Sequence, residues 1–377
     1  MKIVCVAGAR PNFVKIAPLL RALAQHAGAG VEAILVDTGQ HYDDAMAAAF
    51  FRDLQIPQPR HRLGVGSGSH AEQTAAIMQR FEPVLLDERP DLLVVVGDVN
   101  STLACALVAA KSGVRIAHVE AGLRSFDRSM PEEINRLLVD AISDLLFTTE
   151  ESANQNLARE GVAPMKVFFA GNVMVDSLRW SEPMIRGSRI RERLGLDERQ
   201  PFALATLHRP GNVDERGTLE GILGALADLV DEIPVLLPLH PRTRKRIAEL
   251  GLERYIEPVT GDRPLQTTRP RRIAVFEPAG YFDFLKLLSE ARLVLTDSGG
   301  VQDESTCFGV PCLTLRENTE RPVTLTTGTS ELVGSDPARI LECARAALRK
   351  ERGPSSLPPL WDGHAAERIV RVLLESH

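Results

Sequence analysis

Short apolar runs alternate with amphipathic stretches along this chain of 377 residues, and the alternation restricts the fold more than any other feature. The run Leu92–Val96 is entirely aliphatic, which is typical of a strand covered by helices on both faces. The stretch 101–111 that follows has the apolar spacing of a helix. Because strand–helix alternation of this kind builds parallel sheets with helices on either side, we predict an α/β fold.

The alternation forms two series, and each series predicts a sheet of its own. The predicted strands of the first series are Ile3–Ala7, Val31–Asp37, Leu92–Val96, Ile116–Val119, Leu145–Thr148 and Val167–Ala170. Those of the second series are Phe202–Thr206, Val235–Leu239, Ile273–Phe276, Leu293–Thr296 and Cys312–Leu315. The predicted helices include Pro11–Gln25, Ser101–Lys111, Glu132–Ala141, Leu219–Val230 and His364–Leu374. We predict two domains, 1–171 and 172–360, joined within Asn172–Gln200, with the C-terminal helix in 361–377 packing back onto the first.

Charge, hydropathy and cysteine usage narrow the class of protein. The formal net charge of −6 argues against a nucleic-acid partner, which would call for a basic surface. The N-terminal apolar run is too short for a signal peptide, and no run approaches the ~18 apolar residues of a membrane span. The five cysteines show no C-x-x-C spacing and are expected to be buried and reduced. We therefore expect a cytoplasmic protein without a membrane or nucleic-acid partner.

The segment after the first strand is suited to binding an anion. It reads Gly8-Ala9-Arg10-Pro11-Asn12-Phe13-Val14-Lys15, in which a glycine turn leads into a helix start and two cations follow. Free N–H groups at a helix start bind phosphate. The segment is not a G-x-G-x-x-G motif, so a nicotinamide cofactor is disfavoured. The alternative is that Gly8 only turns the chain and Arg10 is solvated.

Three carboxylates come at the ends of predicted strands or at a helix start in the first domain. Asp98 follows Leu92–Val96, Glu120 follows Ile116–Val119, and Glu132 begins the next helix. Asp98 and Glu132 could be ordinary helix caps or first-turn charges. Glu120 directly follows a buried strand, where an unpaired charge would be costly. Clustered carboxylates also suit general acid–base chemistry.

The second domain presents histidines and glycines after its strands. His208 and His240 each follow a predicted strand and each has an arginine nearby. Thr296-Asp297-Ser298-Gly299-Gly300 precedes a helix that carries Glu304 one turn in, and Arg321 lies downstream in Glu320-Arg321-Pro322. A Ser-Gly-Gly turn before a helix exposes backbone N–H groups to a phosphate, and Glu304 could accept two ribose hydroxyls.

Together these residues resemble the non-hydrolysing UDP-N-acetylglucosamine 2-epimerases from about Lys2 to Gly334. The motifs that carry the resemblance are Gly8-x-Arg10-Pro11-x-x-x-Lys15, Thr38-Gly39-Gln40-His41, Gly97-Asp98, His118-Val119-Glu120-Ala121-Gly122-Leu123-Arg124, Pro131-Glu132-Glu133-x-Asn135-Arg136, Thr296-Asp297-Ser298-Gly299-Gly300-x-Gln302-x-Glu304 and Glu320-Arg321-Pro322. The resemblance implies two Rossmann-like domains facing across a cleft, as in glycosyltransferase-B folds, and a homodimer.

The resemblance also implies a substrate and a reaction. UDP is eliminated from the sugar to leave a 2-acetamidoglucal, and re-addition inverts C2 without a metal or redox cofactor. The candidate catalytic residues are Asp98, Glu120, Glu132 and His208. The residues expected to bind the UDP-sugar are Arg10, Lys15, Phe284 at the uracil, Ser298, Gly299, Gly300, Glu304 at the ribose, and Arg321. Which carboxylate is the acid and which the base stays open.

Some family features are altered, and other functions are compatible with the motifs. Gln40, Arg209 and His240 match a second, activating UDP-sugar site, but Asp43 and Glu72 replace the expected glutamine and arginine. The proline- and arginine-rich stretch Glu257–Arg272 is either an anion-binding loop or a solvated insertion. The alternatives are a 2-epimerase for UDP-2,3-diacetamido-glucuronic acid, a hydrolysing epimerase, a glycosyltransferase, and a non-catalytic UDP-sugar sensor.

Overall fold

A computed structural model describes residues 1–40, 51–197, 199–259, 271–350 and 356–376 and divides the chain into two compact units. Unit 1 consists of Met1–Trp180 and Pro358–His377, and unit 2 of Ser181–Leu357. Both are built on parallel sheets, which confirms the predicted α/β class. In the described part of the chain, no helix has the length and apolarity needed to cross a membrane.

The described part of unit 1 forms a seven-stranded parallel sheet in the order β3-β2-β1-β4-β5-β6-β7. Its strands are β1 Lys2–Ala7, β2 Glu32–Asp37, β3 His61–Arg62, β4 Leu92–Val96, β5 Arg115–Ala121, β6 Leu145–Thr148 and β7 Val167–Phe169. The chain proceeds outwards from β1 in one direction and then returns to add β4 on its other side. This reversal leaves a crevice between the loops that follow β1 and β4, where open α/β sheets bind ligands.

Helices cover both faces of this sheet. They are α1 Arg10–Ala24, α2 His70–Glu88, α3 Asn100–Lys111, α4 Pro131–Ile142, α5 Glu151–Arg159, α6 Val173–Gly187, which runs into unit 2, and α15 Ala365–Glu375 near the C-terminus. Short 3₁₀ turns occur at Ala27–Ala29 and Pro164–Lys166. Strand β4 is buried along its whole length, as its aliphatic sequence predicts.

The described part of unit 2 forms a second seven-stranded parallel sheet, in the order β10-β11-β9-β8-β12-β13-β14. Its strands are β8 Ala203–Thr206, β9 Val235–Pro238, β10 Ile256–Pro258, β11 Ile273–Phe276, β12 Leu293–Thr296, β13 Cys312–Thr314 and β14 Ser330–Leu332. Its helices are α7 Ile190–Arg193, α8 Pro210–Val213, α9 Arg216–Leu229, α10 Pro241–Glu249, α11 Tyr281–Glu290, α12 Gly299–Phe308, α13 Pro322–Thr326 and α14 Pro337–Arg349, with a 3₁₀ turn at Glu253–Tyr255. The strand order reverses between β8 and β12, so the loops after these two strands flank the crevice of this sheet.

The division between the units falls inside α6, at Trp180/Ser181, and not at the predicted 171/172 boundary. The first turns of α6 belong to unit 1 because Ser177 Oγ donates to the carbonyl oxygen of Val14. Asp176, on the same helix, accepts hydrogen bonds from the backbone N–H groups of Ala365 and Ala366 at the start of α15. The C-terminal helix thus lies in unit 1, where it packs against α1.

Several local predictions need correction. Strand β5 was predicted to end at Val119, yet it continues to Ala121, so Glu120 lies within it. Cys307 and Cys343 are partly exposed, and only the other three cysteines are buried. Pro258 belongs to β10, while residues 260–270 of the proline-rich stretch lie outside the described residues, as do His41 and Asp43.

Candidate functional site

The Glu120 carboxylate is held by a buried cation at the crevice of unit 1. Glu120 has φ of +73°, and the pairing of β5 with β6 is irregular between Val119 and Ala121. A bulge of this kind redirects one side chain while the strand continues. Lys15 Nζ lies 2.7 Å from Glu120 Oε1, with the two side chains only 6% and 3% exposed. Because an ion pair removed from water needs both charges, Glu120 is held here as a carboxylate.

Gly97 is shaped to leave room for this ion pair. It follows β4, has φ of +66°, and a Cβ built on it would lie 2.9 Å from Lys15 Nζ. A larger residue would therefore meet both an unfavourable backbone conformation and the lysine. Helix α1 contributes the cation, the loop after β4 contributes the space, and β5 contributes the carboxylate.

Asp98 is oriented by helix α4. Arg136 Nη1 donates to Asp98 Oδ2, and Asn135 Nδ2 donates to the Asp98 carbonyl oxygen at 2.8 Å. The N-cap of α3 is Val99, so Asp98 is not the cap that the sequence alternative allowed. A quarter of the Asp98 side chain is exposed, whereas Arg136 is buried. Asp98 is therefore paired with a buried cation while part of its side chain still faces solvent.

Glu132 differs from the other two carboxylates. It lies in the first turn of α4, is partly exposed, and makes no hydrogen bond or ion pair among the described residues. The adjacent Glu133 is buried and structural, because it accepts hydrogen bonds from the backbone N–H groups of Ser125 and Phe126 and from Arg136. Burial raises the pKa of Glu133, but these donors outweigh burial and leave the pKa below its usual range. Of these carboxylates, Glu132 alone has no cation beside it in the described part of the chain.

In unit 2, His208 and Asp297 meet at the crevice between β8 and β12. His208 Nδ1 lies 2.9 Å from Asp297 Oδ1, and Asp297 Oδ2 accepts from the backbone N–H groups of His208 and Arg209 at 3.0 and 2.9 Å. Asp297 is fully buried. Burial raises the pKa of Asp297, but His208 and these donors reverse the effect and hold the pKa below its usual range. The carboxylate therefore fixes the orientation of the His208 ring through Nδ1.

The start of α12 combines helix-terminal N–H groups with a close approach of buried side chains. Ser298 is the N-cap, and its N–H donates to Thr296 Oγ1 at 3.0 Å. A Cβ built on Gly299 would lie 2.5 Å from Glu320 Oε1 and 2.9 Å from Arg321 Nε. Glycine is therefore required at 299 for packing as well as for access to the helix N-terminus, where Gly300 follows it.

The remaining predicted residues of unit 2 lie on the surrounding helices and loops. Arg321 Nη1 is 2.9 Å from Asp303 Oδ2, and both side chains are buried. Glu304 is buried on α12, and Phe284 on α11 is partly buried against the apolar cluster. The His240 ring lies 5.6 Å from the His208 ring. His240 thus lies beside His208. Glu304 lies on α12, and Arg321 is paired with Asp303 of the same helix.

Two predicted residues of unit 1 lie in the same crevice as Lys15. Arg10 begins α1 directly after the loop that follows β1. Gln40 follows β2, and its Oε1 accepts from Ser101 Oγ at 2.7 Å. Glu72 is engaged in a capping box with Ser69, and the hydrogen bonds from the Ser69 N–H and hydroxyl lower its pKa. Its side chain is therefore already used in the start of α2.

Sequence reasoning missed the charged partners that orient the candidate residues. Asp297 stands inside a recognised motif and directly follows a buried strand, so the argument applied to Glu120 could have found it. Arg136 was likewise visible in a motif, but its partner Asp98 is 38 residues away. Long-range pairs of this kind leave no periodic signal in the sequence.

The chain matches the family model described as UDP-N-acetylglucosamine 2-epimerase over residues 21–374. The UDP-N-acetylglucosamine 2-epimerase of Methanocaldococcus jannaschii is 40% identical over 379 residues, which cover 99% of each chain. The UDP-2,3-diacetamido-2,3-dideoxy-D-glucuronate 2-epimerase of Pseudomonas aeruginosa is 41% identical over 353 residues, or 93% of each chain.

Solved structures give the same result. The crystal structure of the Methanocaldococcus jannaschii UDP-GlcNAc 2-epimerase in complex with UDP-GlcNAc and UDP matches with a TM-score of 0.89 at 39% identity, and the match covers 100% of each chain. The match therefore spans both units.

Proposed function

The chain belongs to the UDP-N-acetylglucosamine 2-epimerase family, and we propose that it interconverts UDP-N-acetylglucosamine and UDP-N-acetylmannosamine. The proposal makes the enzyme a non-hydrolysing isomerase that retains UDP during the reaction. It is supported by relatives of this name that align with the chain over almost their whole length. The carboxylates at the crevice of unit 1 also support it.

The observation that carries the proposal is the buried Lys15–Glu120 ion pair, with Asp98 on the neighbouring strand end. Inversion at C2 requires one group to remove a proton and another to return a proton to the opposite face. Glu120 and Asp98 are both paired with cations, so each is ready to accept a proton. Glu132 makes no ion pair among the described residues and is the third candidate for proton transfer.

In the elimination, a carboxylate takes the proton from C2 while the C2–H electron pair forms the C1–C2 double bond. The C1–O bond breaks, and its electron pair leaves with the diphosphate of UDP. In the return step, the diphosphate oxygen re-forms the bond to C1 and a carboxylic acid donates a proton to the other face of C2. The two steps balance without any oxidant, reductant or metal ion.

Unit 2 is proposed to hold the leaving UDP. The N–H groups at the start of α12, beyond Ser298, would bind the diphosphate. His208 Nε2 would donate to a phosphate oxygen, since Nδ1 is turned towards Asp297. Developing negative charge on a leaving group is stabilised most when such donors are already oriented.

The test is to incubate the protein with UDP-N-acetylglucosamine and follow the sugar by NMR. The proposal predicts UDP-N-acetylmannosamine at equilibrium with the substrate and no accumulation of free UDP. Free N-acetylmannosamine with UDP would instead identify a hydrolysing epimerase. Turnover only after addition of an acceptor would identify a glycosyltransferase, and binding without turnover would identify a sensor.

A second candidate is the 2-epimerase reaction on UDP-2,3-diacetamido-glucuronic acid. It is favoured by the Pseudomonas aeruginosa relative, which is as similar in sequence as the relative named for UDP-N-acetylglucosamine. Parallel assays with the two UDP-sugars decide between them, because the proposed substrate should have the higher kcat/KM.

We also propose a cytoplasmic homodimer whose product is a donor for cell-surface polysaccharide. Gln40, Arg209 and His240 are retained as a proposed activator site. The engagement of Glu72 in a helix cap argues for weak activation. Addition of UDP-N-acetylglucosamine to a reaction started from UDP-N-acetylmannosamine measures that activation directly.

A further inference from the structure

A buried pair, His118 and Asp140, lies beneath the turns of unit 1 that carry Asp98 and Glu120. The two side chains are 0% and 1% exposed. His118 Nδ1 lies 2.6 Å from Asp140 Oδ1, and His118 Nε2 lies 2.9 Å from the carbonyl oxygen of Gly97. The imidazole therefore contacts the residue that directly precedes Asp98.

The same pair holds the turn after Glu120. Asp140 Oδ2 accepts from the backbone N–H of Gly122 at 3.0 Å and from Arg124 Nη2 at 2.7 Å. Gly97 and Gly122 both have a left-handed backbone, with φ of +66° and +78°. Because residues other than glycine rarely adopt this conformation, both turns are specific features of the backbone. One buried pair thus contacts both turns from below.

The contacts of the two His118 ring nitrogens indicate which of them carry a proton. Its two nitrogens face a carboxylate oxygen and a carbonyl oxygen, and both of these are acceptors. A neutral imidazole has a single N–H, so both contacts require the doubly protonated ring. This geometry fits an imidazolium at His118 beside a carboxylate at Asp140. Burial raises the pKa of Asp140, but His118 and Arg124 outweigh burial and hold that pKa below its usual range.

We propose that His118 and Asp140 form a positioning ion pair that fixes the Gly97 and Gly122 turns, and with them the directions of Asp98 and Glu120. Neither residue contacts the substrate, so both act through the turns. The inference rests on the proposed epimerase function. Its physical basis is that a displacement of about 1 Å at a reacting group can lower a rate by about 10²-fold.

The charge state is tested by ¹⁵N NMR of the full protein with labelled histidines at neutral pH. The proposal predicts one solvent-protected ring with both nitrogens protonated, whose signals disappear in His118→Asn. A neutral tautomer for this ring would overturn the proposal. This measurement needs no substrate, so it remains decisive if the protein proves not to be an epimerase.

The positioning role is tested by the kinetics of His118→Asn and Asp140→Asn. Each should lower kcat by about 10²-fold while the affinity for UDP stays within about threefold of wild type. The double variant should be little worse than the more damaged single variant, because the two residues act as one unit. A folded His118→Asn protein with kcat within threefold of wild type would sink the idea. If that variant does not fold, Asp140→Asn decides by the same criterion.

A matched control is available in the same unit. His61 Nε2 lies 2.6 Å from Glu88 Oε1, the same separation as in the His118–Asp140 pair, but at the edge strand β3. His61→Asn should leave kcat within about twofold of wild type. An equal loss of kcat in this control would show that any broken histidine–carboxylate pair disturbs the unit, and it would contradict a specific positioning role.

Discussion

At the scale of single residues, the three candidate carboxylates differ in whether a cation lies beside them. Lys15 pairs with Glu120 and Arg136 pairs with Asp98, while Glu132 has neither kind of partner among the described residues. The sequence supplied all three carboxylates but no way to distinguish them, because the partners are contributed by remote elements. The pairing with cations supports the proposal that Glu120 and Asp98 are the carboxylates that accept a proton.

The substitution Gly299→Ala tests whether the close packing at the start of α12 is needed for UDP binding. In Gly299→Ala the new Cβ would lie 2.5 Å from Glu320 Oε1, so either the buried Glu320 side chain or the start of α12 must shift. We expect UDP affinity to fall by at least about tenfold, since N–H groups at a helix N-terminus bind phosphate only when correctly directed. Isothermal titration with UDP measures the change.

The control for this variant is Gly224→Ala. Gly224 lies inside helix α9, and a Cβ at that residue has no atom within 4 Å. The substitution should leave UDP affinity unchanged and stabilise the helix by about 0.5–1 kcal/mol. Unchanged UDP binding in Gly299→Ala would contradict a phosphate site at the start of α12.

At the scale of secondary-structure elements, the sequence predicted the strands well and their ends less well. The runs Leu92–Val96 and Leu293–Thr296 were predicted with the observed bounds, because continuous aliphatic runs identify buried parallel strands. The end of β5 was placed too early, since a glutamate after an apolar run is typical of a strand end. The bulge that keeps Glu120 inside β5 depends on pairing with β6, which local sequence does not reveal.

The contact between α6 and α15 leads to a prediction about pH and stability. Burial raises the pKa of Asp176 from 3.8 to about 6, although it accepts two N–H groups at the start of α15. A carboxyl group whose pKa is higher in the folded state contributes its full stabilisation when the pH lies below its pKa in the unfolded state. That contribution is then lost as the pH rises through about 6. We therefore expect unit 1 to lose up to about 3 kcal/mol of stability between pH 4 and pH 6.5.

Urea unfolding followed by tryptophan fluorescence measures this loss, because both tryptophans, Trp180 and Trp361, belong to unit 1. In Asp176→Asn this part of the pH dependence should disappear. Asp91→Asn is the control, since Asp91 also accepts a backbone N–H group, from Lys2, but is exposed. An unchanged pH profile in Asp176→Asn would contradict the assignment.

At the scale of the whole molecule, the two units share one design. In each, the first strand lies inside a parallel sheet, and the order of strands reverses beside it. The candidate residues come from the loops and helix starts at that reversal, with Lys15 on α1 and Asp98 after β4 in unit 1, and His208 and Ser298 in unit 2. The fold class therefore followed from the strand–helix alternation, and the site region that this alternation indicates stays a prediction. The arrangement of the units across a cleft was implied by the family resemblance alone and stays a prediction.

The central claim is that unit 1 moves the C2 proton while unit 2 holds the UDP. The most direct test is to incubate the protein with UDP-N-acetylglucosamine in heavy water and to measure deuterium at C2 by NMR. The account predicts deuterium at C2 of both epimers with wild-type protein. It also predicts a loss of exchange of at least about 10³-fold in Glu120→Gln, with UDP affinity retained. Interconversion without deuterium at C2, or undiminished exchange in Glu120→Gln, would contradict it.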